Sequence, residues 1–224
     1  MWNRVCVVIG GLLFSVMSWS AEIGIIVFDG VLTSDVTAPA EVFGVASRQA
    51  WFKDYSVSFI SVEDKQHITT EEGLVLRPNY HLGNAPDLDV LLVPSRYDMK
   101  SLLDNPELTA FIRQSGSTVK WLSSNCSGAL LLANAGLLDG KQATTWAGGE
   151  KDMQKKFPKV KVLEDRNLVI DGKIITSNGS IVSYQAALVL LAKMSSTGRA
   201  REVFDTLQMG RMVDWSSVSQ YLSE

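Results

Sequence analysis

One cysteine, set between an apolar strand and a helix, is the residue of this chain best placed to act as a nucleophile. Cys126 follows the run Val119-Lys120-Trp121-Leu122 and precedes Gly128-Ala129-Leu130-Leu131-Leu132-Ala133. Its neighbours Ser124, Ser127 and Gly128 are small, so the backbone can turn sharply and leave the sulfur at the start of the helix. Unpaired N–H groups and the helix dipole there favour a thiolate, the form that attacks electrophiles. The plainer alternative is a small buried hydrophobe that happens to carry sulfur. Ser127 either supplies a hydroxyl beside the nucleophile or simply starts the helix.

The elements needed to hold such a turn are present. Apolar runs and helical periodicities alternate along the chain, the pattern of an α/β domain around a mostly parallel sheet. Ile23 to Phe28 and Asp89 to Pro94 read as strands buried on both faces, and Tyr55 to Val62 as an alternating strand. Helices are expected over Ala38 to Gln49, with Pro39 in the first turn, and over Asp98 to Ser115, which Asn105-Pro106 can divide in two. Others should follow Cys126 to about Gly136 and cover Glu150 to Phe157, Ile181 to Met194 and Gly198 to Leu207. Gln142 to Thr145 reads as a short strand. His67 to Arg77 reads as a hairpin around Glu71-Glu72-Gly73, and Asn167 to Ile170 pairs with Lys173 to Thr176 across Asp171-Gly172.

Composition limits the partners. With 224 residues, 46% apolar and 20% charged, the chain has material for one globular domain. A net charge of −3 gives no basic footprint for nucleic acid. Residues 1–20 read as a secretory signal peptide: Arg4, an apolar stretch from Val5 to Met17, then Ser18-Trp19-Ser20, with cleavage after Ser20 or Ala21. The stretch would span roughly 20 Å as a helix, short of the roughly 30 Å of a bilayer core, so no stable membrane span is expected after cleavage. An uncleaved anchor is the alternative. Residues 21–224 then form a single periplasmic or secreted domain in which Cys126 stands alone, either a reactive thiol or the site of an intermolecular bridge. One cysteine and two separated histidines offer no metal-ligand spacing, and no phosphate loop is present, so neither metal nor cofactor is expected.

Several blocks together resemble the ThiJ/PfpI family of the class I glutamine amidotransferase-like fold. They are Phe28-Asp29-Gly30-Val31, Asp35 through Phe43, Leu88 through Pro94, the elbow continuing into Ala135 through Thr145, and Thr176-Ser177-Asn178-Gly179. The resemblance covers nearly all of the sequence after residue 20. It implies a flavodoxin-like three-layer sandwich, a homodimer, and a Cys126 that faces an acidic residue of the first βα loop, here Asp35. A carboxyl beside a thiol can share its proton, raising its own pKa while it stabilises the thiolate. The alternative for Asp35 is a helix cap or loop carboxylate.

Within the family, aspartate here with Cys-Ser-Gly at the elbow resembles the isonitrile hydratases and the amidase-like domains fused to AraC-type regulators. That implies Cys126 attacking an isocyanide carbon, Asp35 delivering a proton, and water converting the thioimidate to a formamide. Three departures stand against the family pattern. Ser95-Arg96 replaces the usual Pro-Gly-Gly continuation after the strand, where backbone N–H groups form an oxyanion site. Arg96 then crowds that site, brings a cation to the thiolate or an anionic substrate, or lies solvated at the surface. Trp146 stands where many members carry histidine, which disfavours a Cys-His hydrolase and makes either an apolar pocket wall or core packing. Asn178-Gly179-Ser180 replaces a smaller pattern and narrows the pocket. His67 and His81 are expected at the surface.

The expected function is therefore a cofactor-independent, cysteine-dependent hydratase or hydrolase of a small molecule, with Cys126, Asp35 and Ser127 catalytic and Ser95, Arg96, Trp146 and Asn178 in the pocket. The alternative is a non-catalytic periplasmic ligand-binding or redox-sensing protein that uses the same pocket and Cys126. A transcriptional regulator is not expected of a chain with an export-type leader.

Overall fold

The computed structural model describes residues 20–50 and 54–222. Apart from Ser20, the expected signal segment lies outside them. In chain order the elements are β1 (Ala21–Val27), α1 (Thr33–Gln49), β2 (Tyr55–Ser61), β3 (Ile68–Thr69), β4 (Val75–Leu76), β5 (Tyr80–His81), β6 (Val90–Val93), α2 (Lys100–Leu103), α3 (Pro106–Thr118), β7 (Trp121–Asn125) and α4 (Gly128–Asn134). Then come β8 (Gln142–Ala143), α5 (Glu150–Lys156), β9 (Lys161–Val162), β10 (Leu168–Asp171), β11 (Ile174–Ser177), α6 (Val182–Met194), α7 (Thr197–Thr206) and α8 (Ser216–Ser219).

The main sheet runs β10-β11-β7-β6-β1-β2-β5, parallel throughout except for the β10–β11 hairpin. Its central strands are apolar on both faces because helices cover both: all four residues of β6 are buried, as are Ile23 to Val27 of β1. Helices α1, α6 and α7 pack together on one side, and α2, α3 and α4 on the other, giving the α/β three-layer sandwich. Parallel pairing puts the C-terminal ends of β1, β6, β7 and β11 along one edge of the sheet. Open α/β sheets bind ligands at that edge, and here it carries Cys126 directly after β7.

Helix α1 begins at Thr33, five residues before the expected start at Ala38. Proline in a helix interior removes a donor, which is why Pro39 was assigned to the first turn. The structure offsets that loss with a side chain from another element. The carbonyl four residues before Pro39 is that of Asp35, and it accepts a hydrogen bond from Asn125 Nδ2 at 3.1 Å. The N-terminus is served from outside as well. Leu32 provides no cap, and Glu72 in the β3–β4 turn accepts from the Thr33 N–H at 2.9 Å. Asp35 therefore sits in the first turn of a helix rather than in a loop.

The other helical expectation with a break resolves into α2 and α3, with Asn105 accepting from Leu108 N at 3.0 Å and Pro106 opening α3. The late hairpin pairs Asp171 with Ile174, so its two-residue loop is Gly172-Lys173, one residue later than expected. The Asp171 carboxylate explains the shift, because it is held inside the ladder by Gln142 N at 2.9 Å and Lys141 Nζ at 3.1 Å.

Helix α4 is buried from Gly128 to Ala133, and it starts hard against the end of β6. A β-carbon at Gly128 would lie 2.1 Å from the Val93 carbonyl oxygen and 2.8 Å from that of Pro94. Backbone cannot yield as a flexible side chain can, so Gly128→Ala is expected to destabilise the fold by about 3 kcal/mol. A urea unfolding midpoint matching the parent protein's would contradict this packing of the turn.

Candidate active site

Cys126 occupies the left-handed region, with φ 52°. A non-glycine residue there is strained by roughly 1–3 kcal/mol unless its surroundings hold it. They do so on both sides of the peptide: Cys126 N donates to the Ser177 carbonyl at 2.9 Å, and Thr145 Oγ1 donates to the Cys126 carbonyl at 3.0 Å. The sulfur is thereby turned out of β7 toward the sheet edge, half-buried. Gly179, at φ +78°, closes the turn from the β11 side. A β-carbon there would meet Cys126 Cβ at 2.5 Å and Asp35 Oδ1 at 2.9 Å, so residue 179 has no room for a side chain between nucleophile and acid.

Asp35 is fully buried, and both its oxygens are saturated. Oδ2 accepts from Ser95 Oγ at 2.6 Å and Ser95 N at 3.2 Å, while Oδ1 accepts from Ser180 N at 3.0 Å and Ser183 Oγ at 3.0 Å. Burial pushes the Asp35 carboxyl above the usual carboxylate range, against the opposing effect of these donors, Ser95 first among them. The same Ser95 hydroxyl also lowers the Cys126 thiol against the effect of its burial. One serine thus acts on both the carboxyl and the thiol.

Burial likewise raises the Cys126 thiol, and the nearby Asp35 charge adds to it; the Ser95 hydroxyl and the Ser127 amide and hydroxyl oppose the rise without cancelling it. The Ser127 amide at the helix start favours the thiolate, as the sequence leads one to expect, but burial and Asp35 outweigh it. The sulfur lies too deep beside a carboxyl for the amide of a short helix to decide its charge.

In front of Cys126 lies a cavity of about 450 Å³, within the range of small-molecule sites. Cys126, Ser127 and Leu130 line it from the elbow and α4, Trp146 from the loop after β8, and Arg96 and Met99 from the segment after β6. Ser127 Oγ donates to the Arg96 carbonyl at 3.2 Å, locking that segment to the elbow. Trp146 forms a wall and also packs against the core, lying over Gly149, where a β-carbon would fall 1.8 Å from the indole. Ser95 lies behind the sulfur instead of lining the cavity, and the Asn178 amide is turned away to the Thr145 carbonyl. His67 and His81 do not line the cavity; His81 accepts from Gly83 N.

The sequence reading does not mark Asn125 or Ser183 as site residues, and it marks Ser180 only as narrowing the pocket, not as a donor to Asp35. Asn125 had a readable signal, since Pro39 leaves one carbonyl without its helical donor and a polar residue at a strand end beside the nucleophile is a natural replacement. Ser177 Oγ donates to Asn125 Oδ1 at 2.7 Å and fixes that amide.

Alkylation of Cys126 by iodoacetamide should therefore rise with pH through a midpoint above that of cysteine in a short peptide. Ser95→Ala, which removes a hydroxyl that opposes the rise, should move the midpoint higher still. A midpoint below the peptide's, or one that falls in the variant, would contradict the assignment of a neutral resting thiol.

Comparison with known proteins agrees with the fold. The model of the DJ-1/PfpI family matches residues 21–193. An isonitrile hydratase of Pseudomonas putida is 31% identical over 183 residues, covering 81% of this chain and 75% of that protein. The HTH-type transcriptional regulator GbdR of Pseudomonas aeruginosa (strain UCBPP-PA14) is 25% identical over 172 residues, covering 77% of this chain and 46% of the regulator. Among solved structures, a ThiJ/PfpI family protein from Pseudomonas syringae aligns with a TM-score of 0.75 at 24% identity, over 94% of this chain and 84% of that one. Drosophila melanogaster DJ-1beta shares the fold, with a TM-score of 0.73 at 18% identity over 85% of this chain and 98% of its own. With its sheet order, its cysteine elbow and a family match that spans nearly every strand and helix around them, the chain belongs to the DJ-1/PfpI family.

Proposed function

We propose that this protein is a cofactor-independent hydratase of small isocyanides, with Cys126 as nucleophile and Asp35 acting through Ser95 as the proton carrier. The observation that supports it is the hydroxyl of Ser95, 2.6 Å from the Asp35 carboxyl and acting on the thiol as well. An isocyanide carbon must accept both a nucleophile and a proton, and a neutral thiol coupled to a buried acid supplies both. A Cys-His pair instead prepares an anion for acyl transfer.

In the first step Sγ bonds to the isocyanide carbon. The thiol proton passes through Ser95 to the Asp35 carboxylate and returns by the same route to that carbon, leaving a thioimidate, R–N=CH–S–Cys126. Water then adds to the same carbon, the nitrogen is protonated and the C–S bond breaks. The products are R–NH–CHO and the free thiol. Low dielectric around Asp35 strengthens each of these transfers. The 31% identity to an isonitrile hydratase supports the same reading. A redox sensor fits less well, because oxidation proceeds through thiolate character that burial here suppresses.

Incubating the protein with a panel of small isocyanides and following N-substituted formamide by NMR tests the proposal. Cys126→Ser should abolish turnover, and Ser95→Ala should lower kcat roughly 100-fold, the size of a lost acid–base contribution. Formamide at the uncatalysed rate across the panel, or full activity in Cys126→Ser, would refute it.

A further inference from the structure

We infer that the substrate carries a carboxylate, gripped by Arg96 with Lys156 at the cavity mouth, so that the preferred isocyanides are isocyano acids and not neutral alkyl isocyanides. This rests on the hydratase reading for the reacting group alone. The charge reasoning concerns the cavity whatever its chemistry.

The charged side chains on the cavity wall are Arg96, Lys100, Lys156 and Asp104. Asp104 is already ion-paired with Lys100, which leaves Arg96 and Lys156 as excess positive charge. Neither has a carboxylate within 4.0 Å among the described residues, since all the ion pairs there involve other groups. Asp29 feels the field of Arg96 but is committed to Lys65 at 2.7 Å.

Arg96 is half-buried and fixed in place, unlike a typical solvated surface arginine. Its Nε donates to the Asp98 carbonyl, Nη1 to the Asp29 carbonyl at 3.2 Å and Nη2 to Ser101 Oγ, with the guanidinium carbon 6.0 Å from the centre of the Phe28 ring. These neutral acceptors hold the guanidinium without cancelling its charge. They use three of five N–H donors and leave one on each terminal nitrogen, the donor set that carboxylates bind well. Trp146, Met99 and Leu130 give the rest of the cavity an apolar wall, which suits a short hydrocarbon between the isocyanide and the acid.

The test is the ratio of Cys126 alkylation rates by iodoacetate and iodoacetamide. Both reagents require the thiolate, so the ratio cancels any change in thiol ionisation and reads only the preference for an anion. Arg96→Gln should lower that ratio about tenfold, the scale of one charge-assisted contact. Lys156→Gln, on an exposed helix position where folding is not at stake, should lower it about threefold, and added salt should lower it in the parent protein. A ratio equal to that of a free cysteine peptide and indifferent to salt and to Lys156→Gln overturns the proposal, even if Arg96→Gln fails to fold. Isocyanide turnover with such a flat ratio would leave the hydratase standing and remove the acid-bearing substrate. A shifted ratio without turnover would do the reverse.

Discussion

Everything at the sheet edge depends on one buried carboxyl. Asp35 is removed from water, and a carboxyl buried without partners costs several kcal/mol or abandons its charge. Four donors from three segments meet it: Ser95 after β6, Ser180 in the turn after β11, and Ser183 in α6. Each segment must arrive in register for the burial to be tolerated, so this polar cluster specifies how the ends of β6 and β11 approach α1. The consecutive left-handed residues Gly179 and Ser180, at φ 78° and 54°, follow from the same demand, because that turn aims the Ser180 N–H at Oδ1.

A second constraint ties Asp35 to Cys126 through the backbone. Pro39 strips a donor from α1, and the freed carbonyl belongs to Asp35 itself. Asn125, one residue before Cys126, fills the gap at 3.1 Å and is steadied by Ser177. A proline that would ordinarily weaken a helix here creates an attachment point, and the strand that delivers the cysteine is anchored to the residue that supplies the acid. Geometry of this kind gives a strained residue at φ 52° a reason to persist.

The layered α/β fold was legible because its signals are local: apolar runs for buried strands, Asn-Pro for a helix boundary, small residues around Cys126. The site was legible in its two ends, Cys126 and Asp35, and less so between them. The sequence reading starts helix α1 late because Glu72 and Asn125 lie 39 and 90 residues downstream of their partners Thr33 and Asp35, beyond any window of periodicity. The thiol was read as acidic because its position at a helix start is visible in the sequence, whereas its burial beside a carboxyl is a property of the assembled layers. Ser95 was weighed only for the space it takes from a backbone site, although a hydroxyl at that point is the shortest way to connect acid and sulfur.

Ser95 and Arg96 looked like losses when set against the glycines common in the family, and the structure gives the pair a division of labour. Both residues lie in the irregular segment that follows β6 and Pro94. Ser95 turns inward from the end of β6 to the Asp35 carboxyl and is fully buried, while Arg96 turns outward over Phe28 toward the cavity. Neighbouring residues of one loop thus keep the buried carboxyl's partner apart from a charged wall. The separation is useful chemically, because a guanidinium beside Asp35 would hold that carboxyl ionised and deny it a proton to give. Placed one residue further on, and tethered to Asp29, Asp98 and Ser101, the cation stays clear of the acid and still faces whatever enters in front of Cys126.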